Sequence, residues 1–442
     1  MSEKPVVLTE SVARYLDQMN RYRLDEAKDD DAPVESEEKA PWLPQTLHDF
    51  LFHLSSPSDP TGSSKHLKEA VTFDIKRGDK PGSVSATPKP KAAVEPPAVH
   101  PGLPKTNHMI QVAHQEGLGH EENLHKKIGA GFKKTFEDMK TESPAEGKAK
   151  HREAKAAFKA FARSRGLKAS TAPSMLRGNM KTEKSSGEGV LTTGLNLAPH
   201  HLSGLHKFDV CPKASSECRS NCLGTTAGGN RQYPDTALSS KVLRTHFLAA
   251  HPEHAARLIH HEIDAHTKKA EKKGFKAGVR LNVTSDIAWE HHAPELFKAH
   301  PKVQFYDYTK SPNRVMKHLD PKSDHPENYH LSLSHTGANH AESNDKDTAK
   351  VLHHGGVSAM VFQRGKDNKL PTHVVDRASG HEYPVVNGDD DDNTFDRHAT
   401  AGLKEGKKGH GVVSGLMLKG VKNEEAGHFA NKVHSDGKAY IN

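Results

Sequence analysis

Three cysteines occur in the 442 residues, and all fall within twelve positions: Cys211, Cys218 and Cys222, in the segment DVCPKASSECRSNCLGTTAGGN. An odd number of thiols cannot pair off within one chain, so this clustering points to a ligand site rather than to disulfides. Thiolate is a soft ligand that selects iron–sulfur clusters, zinc and copper(I). Three thiolates on one short loop can hold three irons of a [4Fe–4S] cube and leave the fourth open. They can also supply three of four zinc ligands, with His201 or His206 completing the set. Free cysteine is often just a small core residue. The neighbours here, however, are Asp, Lys, Ser, Glu, Arg and Asn, which is not core sequence. Gly204, Gly224, Gly228 and Gly229 provide pliable backbone for a loop wrapped round a cofactor, and Lys213 and Arg219 offset thiolate charge.

The elements that must position this loop begin near residue 170. Short β-branched or aromatic runs at 190–199, 279–286, 303–310, 329–336, 357–364 and 412–420 alternate with helical stretches at 236–251, 253–273, 293–301, 312–320 and 339–354. Such alternation predicts βαβ units and a parallel sheet. The expected fold is α/β, a complete or partial (β/α) barrel over 171–435. A doubly wound open sheet is the alternative, although its G-x-G-x-x-G marker is absent.

Barrel sites sit at the carboxyl ends of strands, so the polar residues there are candidates. Asp286, Asp307 and Lys310 are expected catalytic groups, and Asn282, Thr284, Ser332 and Gln363 expected cofactor contacts. Tyr308, Ser334, His335 and Arg364 end the same strands. Against this stands simple helix capping, which would suit Asp286 and Ser311. The run Asp389, Asp390, Asp391, Asp392 could bind a hard divalent ion. A solvated turn is the favoured reading, and Asp396 is a better single candidate than the run. Histidine doublets at 200–201, 260–261, 291–292 and 353–354 read as solvated surface, with a secondary metal site conceivable at any of them.

Composition limits how much of the chain can pack. Hydrophobic residues are 33 %, aromatics 6 %, and mean hydropathy is -0.77. That predicts one substantial domain behind a largely disordered or loosely helical extension. Residues 1–75 are acidic, with short helices expected at 12–22 and 42–54; 76–105 read as a Pro/Lys-rich linker; 106–170 form a basic helical segment. Net charge is -7 over 1–60, +10 over 61–190 and +4 over 191–442. The basic excess lies outside the expected domain, which weighs against a catalytic half built around nucleic acid. The helix expected at 149–166 is either solvated, the favoured reading, or a nucleic-acid tether. No apolar run spans a membrane and no signal peptide opens the chain, so a cytoplasmic protein is expected.

Between 175 and 430 the chain resembles the phage "gene product 88" family. The resemblance rests on MLRGNMKTEK (175–184), GLNLAPH (194–200), the cysteine segment, VRLNVTSDIAWE (279–290), VQFYDYTK (303–310), VVNGDDDDNTFD (385–396) and GVVSGLMLKG (411–420). It implies a phage or prophage gene acting in the cytoplasm of an infected or lysogenic cell, and carries no activity with it. A second likeness is to radical S-adenosylmethionine enzymes, in which a three-cysteine loop follows the first barrel strand. It implies a [4Fe–4S] cluster whose open iron binds S-adenosylmethionine, with 190–199 as that strand. The C-x6-C-x3-C spacing differs from the C-x3-C-x2-C loop of most such enzymes. The expectation is an iron–sulfur enzyme acting on a small molecule or nucleic acid. Two alternatives stand beside it: a zinc-stabilised protein that binds or processes nucleic acid, and a metal-dependent nuclease using Asp286, Asp307 and Asp396.

Overall fold

The computed structural model describes strands at 6–9, 73–77 and 83–88, and residues 102–167, 174–178, 189–226, 232–337, 341–364, 367–419, 422–424 and 426–441. Two compact units result, Met1–Pro96 and Pro97–Asn442. In the first, β1 (Val6–Thr9), β2 (Phe73–Arg77) and β3 (Ser83–Pro88) form an antiparallel sheet in the order β1-β3-β2. Strand β3 falls within the segment read as linker, and the helices expected at 12–22 and 42–54 lie outside the described residues.

The second unit opens with helices α1 (Pro104–Gln115), α2 (Leu124–Met139) and α3 (Pro144–Ser164). Strands β4 (Leu176–Arg177) and β5 (Val190–Leu195) follow, then α4 (Ser216–Ser220), α5 (Leu223–Thr226), α6 (Pro234–Ala250) and α7 (Pro252–Lys272). Next come β6 (Lys276–Arg280), α8 (Trp289–His292), α9 (Pro294–Ala299), β7 (Val303–Thr309), α10 (Pro312–Leu319), β8 (Tyr329–Ser334), α11 (Asp345–His353) and β9 (Val357–Phe362). The chain ends with β10 (His373–Asp376), β11 (Glu382–Asn387), α12 (Arg397–Thr400), β12 (Val412–Met417) and β13 (Lys438–Ile441). No described helix is long and apolar enough to cross a membrane.

Helix α3 starts at a capping box, with Ser143 and Glu146 each accepting from the other's backbone N–H. Its apolar stripe of Ala154, Phe158, Phe161 and Ala162 is buried, and Phe158 stacks on Phe247 of α6 with ring centroids 4.3 Å apart. The basic helix expected to be solvated therefore packs one face into the core and turns only its charged face to water. The helices at 104–164 share one compact unit with the sheet.

The sheet has ten strands in the order β13-β10-β11-β12-β9-β8-β7-β6-β5-β4. Strands β5 to β9 lie side by side in chain order and parallel, and β12 and β11 continue parallel beyond β9. Strand β4 runs antiparallel on β5, and β10 antiparallel on β11. The complete barrel is thereby corrected: the sheet is open, mixed α/β and mostly parallel. Closure needs the first strand to pair with the last. Here β4 occupies the outer edge of β5, where Glu262 of α7 accepts the N–H groups of Met175 and Leu176 at 3.1 and 2.7 Å. A doubly wound order would reverse about its first strand, and β5 to β9 do not.

On one face of the sheet Arg280, Tyr306 and Tyr308 converge on Asp392, which is fully buried. Arg280 Nη1 stands 3.1 Å from that carboxylate and both tyrosine hydroxyls donate to it at 3.3 Å. Asp389 accepts the Met417 N–H and Asp391 pairs with Arg397. The aspartate run is thus not the solvated turn expected: three of its four carboxylates tie the 388–397 loop to the sheet and its own helix, and Asp390 alone is exposed.

A buried pair fastens the start of α3 to α7. Arg257 donates twice to Glu142, at 2.6 and 2.8 Å, with 7 % and 8 % of the side chains exposed. These hydrogen bonds hold the Glu142 carboxyl down from 4.5 to about 2. Glu142→Gln is expected to cost about 3 kcal/mol, read as a lower urea midpoint at unchanged m. Because the folded value lies below the unfolded one, this stabilisation is complete above pH 4.5 and fades as pH falls towards about 2. The wild type should lose that increment in acid, and Glu142→Gln should show no corresponding loss.

Candidate functional site

The cysteine loop leaves the carboxyl end of β5 and is closed upon itself. Asp209 accepts the Cys211 N–H at 2.7 Å and pairs with Arg219 at 3.1 Å, while Arg219 Nε donates to the Ala214 carbonyl at 3.2 Å. Ser215 caps α4 by accepting the Cys218 N–H at 3.1 Å. Gly224 allows close packing, since a Cβ there would meet Cys222 Sγ at 3.3 Å and Thr284 Cγ2 at 3.1 Å. The 282–287 loop after β6 seals the other side: the Asp286 N–H donates to the Val210 carbonyl at 2.6 Å, and Cys211 Sγ lies 3.7 Å from the Thr284 carbonyl.

The thiols are half-buried, and burial pushes the Cys211 thiol well above its ordinary value and raises that of Cys222. Cys222 acts on Cys211 and Cys218 on Cys222 in the same direction, so ionisation of Cys211 and Cys222 demands a nearby cation. Two lysines flank it. Burial draws Lys241 of α6 down to about 8 against the field of Cys222, and its Nζ donates to the Gly224 carbonyl at 2.5 Å. Burial also draws Lys310 down, opposed by Cys218, Asp286 and Cys211, and its Nζ donates to the His335 carbonyl at 2.8 Å.

Lys310 also lines a groove of about 460 Å³. One wall is Pro212 to Ser215 of the cysteine loop; the other is Thr336, Glu342 and Asn344 from the segment after β8. Glu342 bridges them, accepting the Ser216 N–H and hydroxyl at 2.9 and 2.7 Å.

Asp286 does not point freely into this groove. It accepts the Lys310 N–H at 2.8 Å and an Arg314 N–H at 2.6 Å, and Arg314 binds Glu290 at 2.6 and 2.9 Å. Asp307 is fully buried, accepts the Asn282 N–H at 2.8 Å and the Tyr329 hydroxyl at 3.0 Å, and is pushed up to about 7 by burial. Asn282 is spent on its own loop, its Oδ1 accepting from Ser285 and from the Ile287 N–H. This is why β6 stops at Arg280 rather than at 286 as expected.

Of the residues singled out in the sequence, Cys211, Cys218, Cys222, Thr284, Asp286 and Lys310 come together. Ser332 lies apart, fully buried against His330 Nε2 at 3.2 Å. Gln363 sits at the end of β9, its N–H donating to the Asn431 carbonyl. Asp396 is exposed and feels Lys276, at the amino end of β6, so Asp286, Asp307 and Asp396 form no common nuclease centre. Among the described residues, two groups have ligand atoms within 4.8 Å of one another, His260–His261–Asp264 and His318–His330–Glu405, and neither contains a cysteine. His201 instead meets Arg219 at 2.9 Å, and His206 packs on the rings of His114 and His120. Gly228 and Gly229 lie outside the described residues. Lys241, Arg314, Glu290 and Tyr329 escaped the sequence reading. A lysine within the apolar run of α6 was the one available signal.

The chain is thus a mixed α/β protein with its candidate site at the carboxyl edge of parallel strands, where ligand sites of open α/β sheets lie. The family model described as Gene product 88 matches residues 171–430, and the chain belongs to that family. No curated protein and no solved structure matches it.

Arg314→Ala is expected to leave Asp286 and Glu290 buried without their counter-charge and to cost about 3–5 kcal/mol. Hydrogen exchange over 282–290 should accelerate more than elsewhere, and Arg314→Lys should recover only part, because a single ammonium cannot span both carboxylates.

Proposed function

We propose that the cysteine loop ligates an iron–sulfur cluster and that the chain is an enzyme acting on a small ligand held in the adjoining groove. The observation that carries this reading is the placement of three half-buried thiols between Lys241 and Lys310, at the carboxyl ends of parallel strands and beside a groove of about 460 Å³. The donor set suits such a cluster. A tetrahedral zinc with bonds of about 2.3 Å needs its sulfurs within about 4 Å of one another. A cube takes each thiolate on a different iron and so accepts wider spacing than one zinc ion does. Buried thiols that resist ionisation become thiolates readily once a cation binds them.

When bound, such a cluster supplies an open iron and one-electron chemistry. The resemblance to radical S-adenosylmethionine enzymes makes that compound the first cosubstrate to try. The chain's own residues would do the rest. Lys310 offsets thiolate charge and faces the groove, Lys241 does so behind Cys222, and Glu342 holds the two walls of the groove together through Ser216. The Asp286–Arg314–Glu290 set is a positioning device for this wall rather than a reacting group.

Protein purified without oxygen is expected to be brown and to carry about four irons per chain. Each of Cys211→Ser, Cys218→Ser and Cys222→Ser should abolish the colour. Lys310→Met should retain iron and weaken S-adenosylmethionine binding by roughly 10-fold in equilibrium dialysis. Colourless protein holding about one zinc per chain would replace this reading with the zinc-stabilised one, and metal content indifferent to the cysteine changes would overturn both.

A further inference from the structure

His318, His330 and Glu405 bring a second set of ligand atoms together, at the end of the sheet opposite the cysteine loop. His318 lies in the last turn of α10, His330 is the second residue of β8, and Glu405 follows α12. His318 Nε2 and His330 Nδ1 stand 2.9 and 3.0 Å from the same oxygen, Glu405 Oε1. All three ligand atoms lie within 4.8 Å of one another. The His330 side chain is 3 % exposed and that of Glu405 36 %, so the set is walled on the sheet side and reached from the loop side.

Two surrounding features suit a cation there. His330 Nε2 lies 3.2 Å from Ser332 Oγ. A proton on Nε2 leaves Nδ1 as a lone pair facing the Glu405 carboxylate, and metal-binding histidines commonly fix their tautomer through such an outer contact. Beside the set, His398 is 4 % exposed, and its ring faces the backbone of Gly355 and His410. The charges of Glu405 and His330 reach it.

The geometry points to a binding site for a divalent transition-metal ion of the zinc class, held by His318, His330 and Glu405 with a further position open to water. Two imidazoles and one carboxylate are donors that suit zinc, cobalt or nickel, whereas calcium and magnesium take oxygen ligands. The ion would clip α10 and β8 to the loop after α12. It uses no thiol, so it stands apart from the cluster reading.

The test uses the full chain with its three cysteines changed to serine, stripped by chelator and then exposed to zinc or cobalt. About one zinc per chain should survive dialysis, and cobalt should develop visible ligand-field absorbance without thiolate charge transfer. Glu405→Gln and His318→Gln should each weaken zinc binding by roughly 10-fold or more, while His260→Ala, which removes the other histidine group, should leave it unchanged. Circular dichroism and the urea midpoint check that each variant is folded. If the serine background is unfolded, the cobalt spectrum of the unaltered chain minus that of His318→Gln gives the same reading. No retained zinc, equal retention after Glu405→Gln and His318→Gln, or loss on His260→Ala would overturn the site.

Discussion

Arg314 binds Asp286 and Glu290 in one shell at the carboxyl ends of β6 and β7, and it also donates to the Ile287 carbonyl and the Thr309 hydroxyl. Its side chain and both carboxylates are nearly out of water, at 12 %, 10 % and 14 % exposure. Such a set holds only while every member is paired, because each charge left alone in this environment is strongly disfavoured. Asp286 passes the constraint on, through its own N–H to Val210 and through its carboxylate to the Lys310 N–H. The cysteine loop and the Lys310 wall of the groove are therefore placed by one guanidinium that touches neither the thiols nor the groove.

A similar arrangement governs the face of the sheet where Asp392 is buried. Arg280 lies over the Tyr308 ring at 4.6 Å and meets Asp392, with Tyr306 and Tyr308 completing the shell. In a closed barrel this space would be filled by side chains from all strands. Here the sheet stays open, and the 388–397 loop brings a carboxylate in to satisfy the buried arginine. The aspartate run thus serves packing, and its charge is the price of an arginine on a central strand.

The two ends of the parallel strands carry different donors. At the carboxyl end are thiols flanked by lysines; at the amino end of β8 are imidazoles gathered on a carboxylate. Connections between parallel strands alternate ends by necessity, so both ends collect loops, and a soft and a borderline donor set can be built without sharing a residue.

Much of the architecture was legible in the chain. The strands at 190, 303, 329, 357 and 412 start where their β-branched and aromatic runs start, because strands largely buried on both faces draw heavily on such residues. The clustering of Cys211, Cys218 and Cys222 was likewise a property of sequence. Strands β4, β10, β11 and β13, which extend the two ends of the sheet, were not legible, since short strands there depend on which neighbour offers free backbone groups. Nor were the roles of Asp307, Asn282 and Asp392: a carboxylate at a strand end and one buried beneath a loop look alike in sequence. Sequence by itself determined the βα order and the thiol loop, because local periodicity and spacing encode them. Only tertiary structure decided that the sheet stays open, that Lys241 and Lys310 flank the thiols, and that Asp286 is held by Arg314. Those outcomes depend on pairing charges from residues 19 or more positions apart, which burial enforces and no local pattern records.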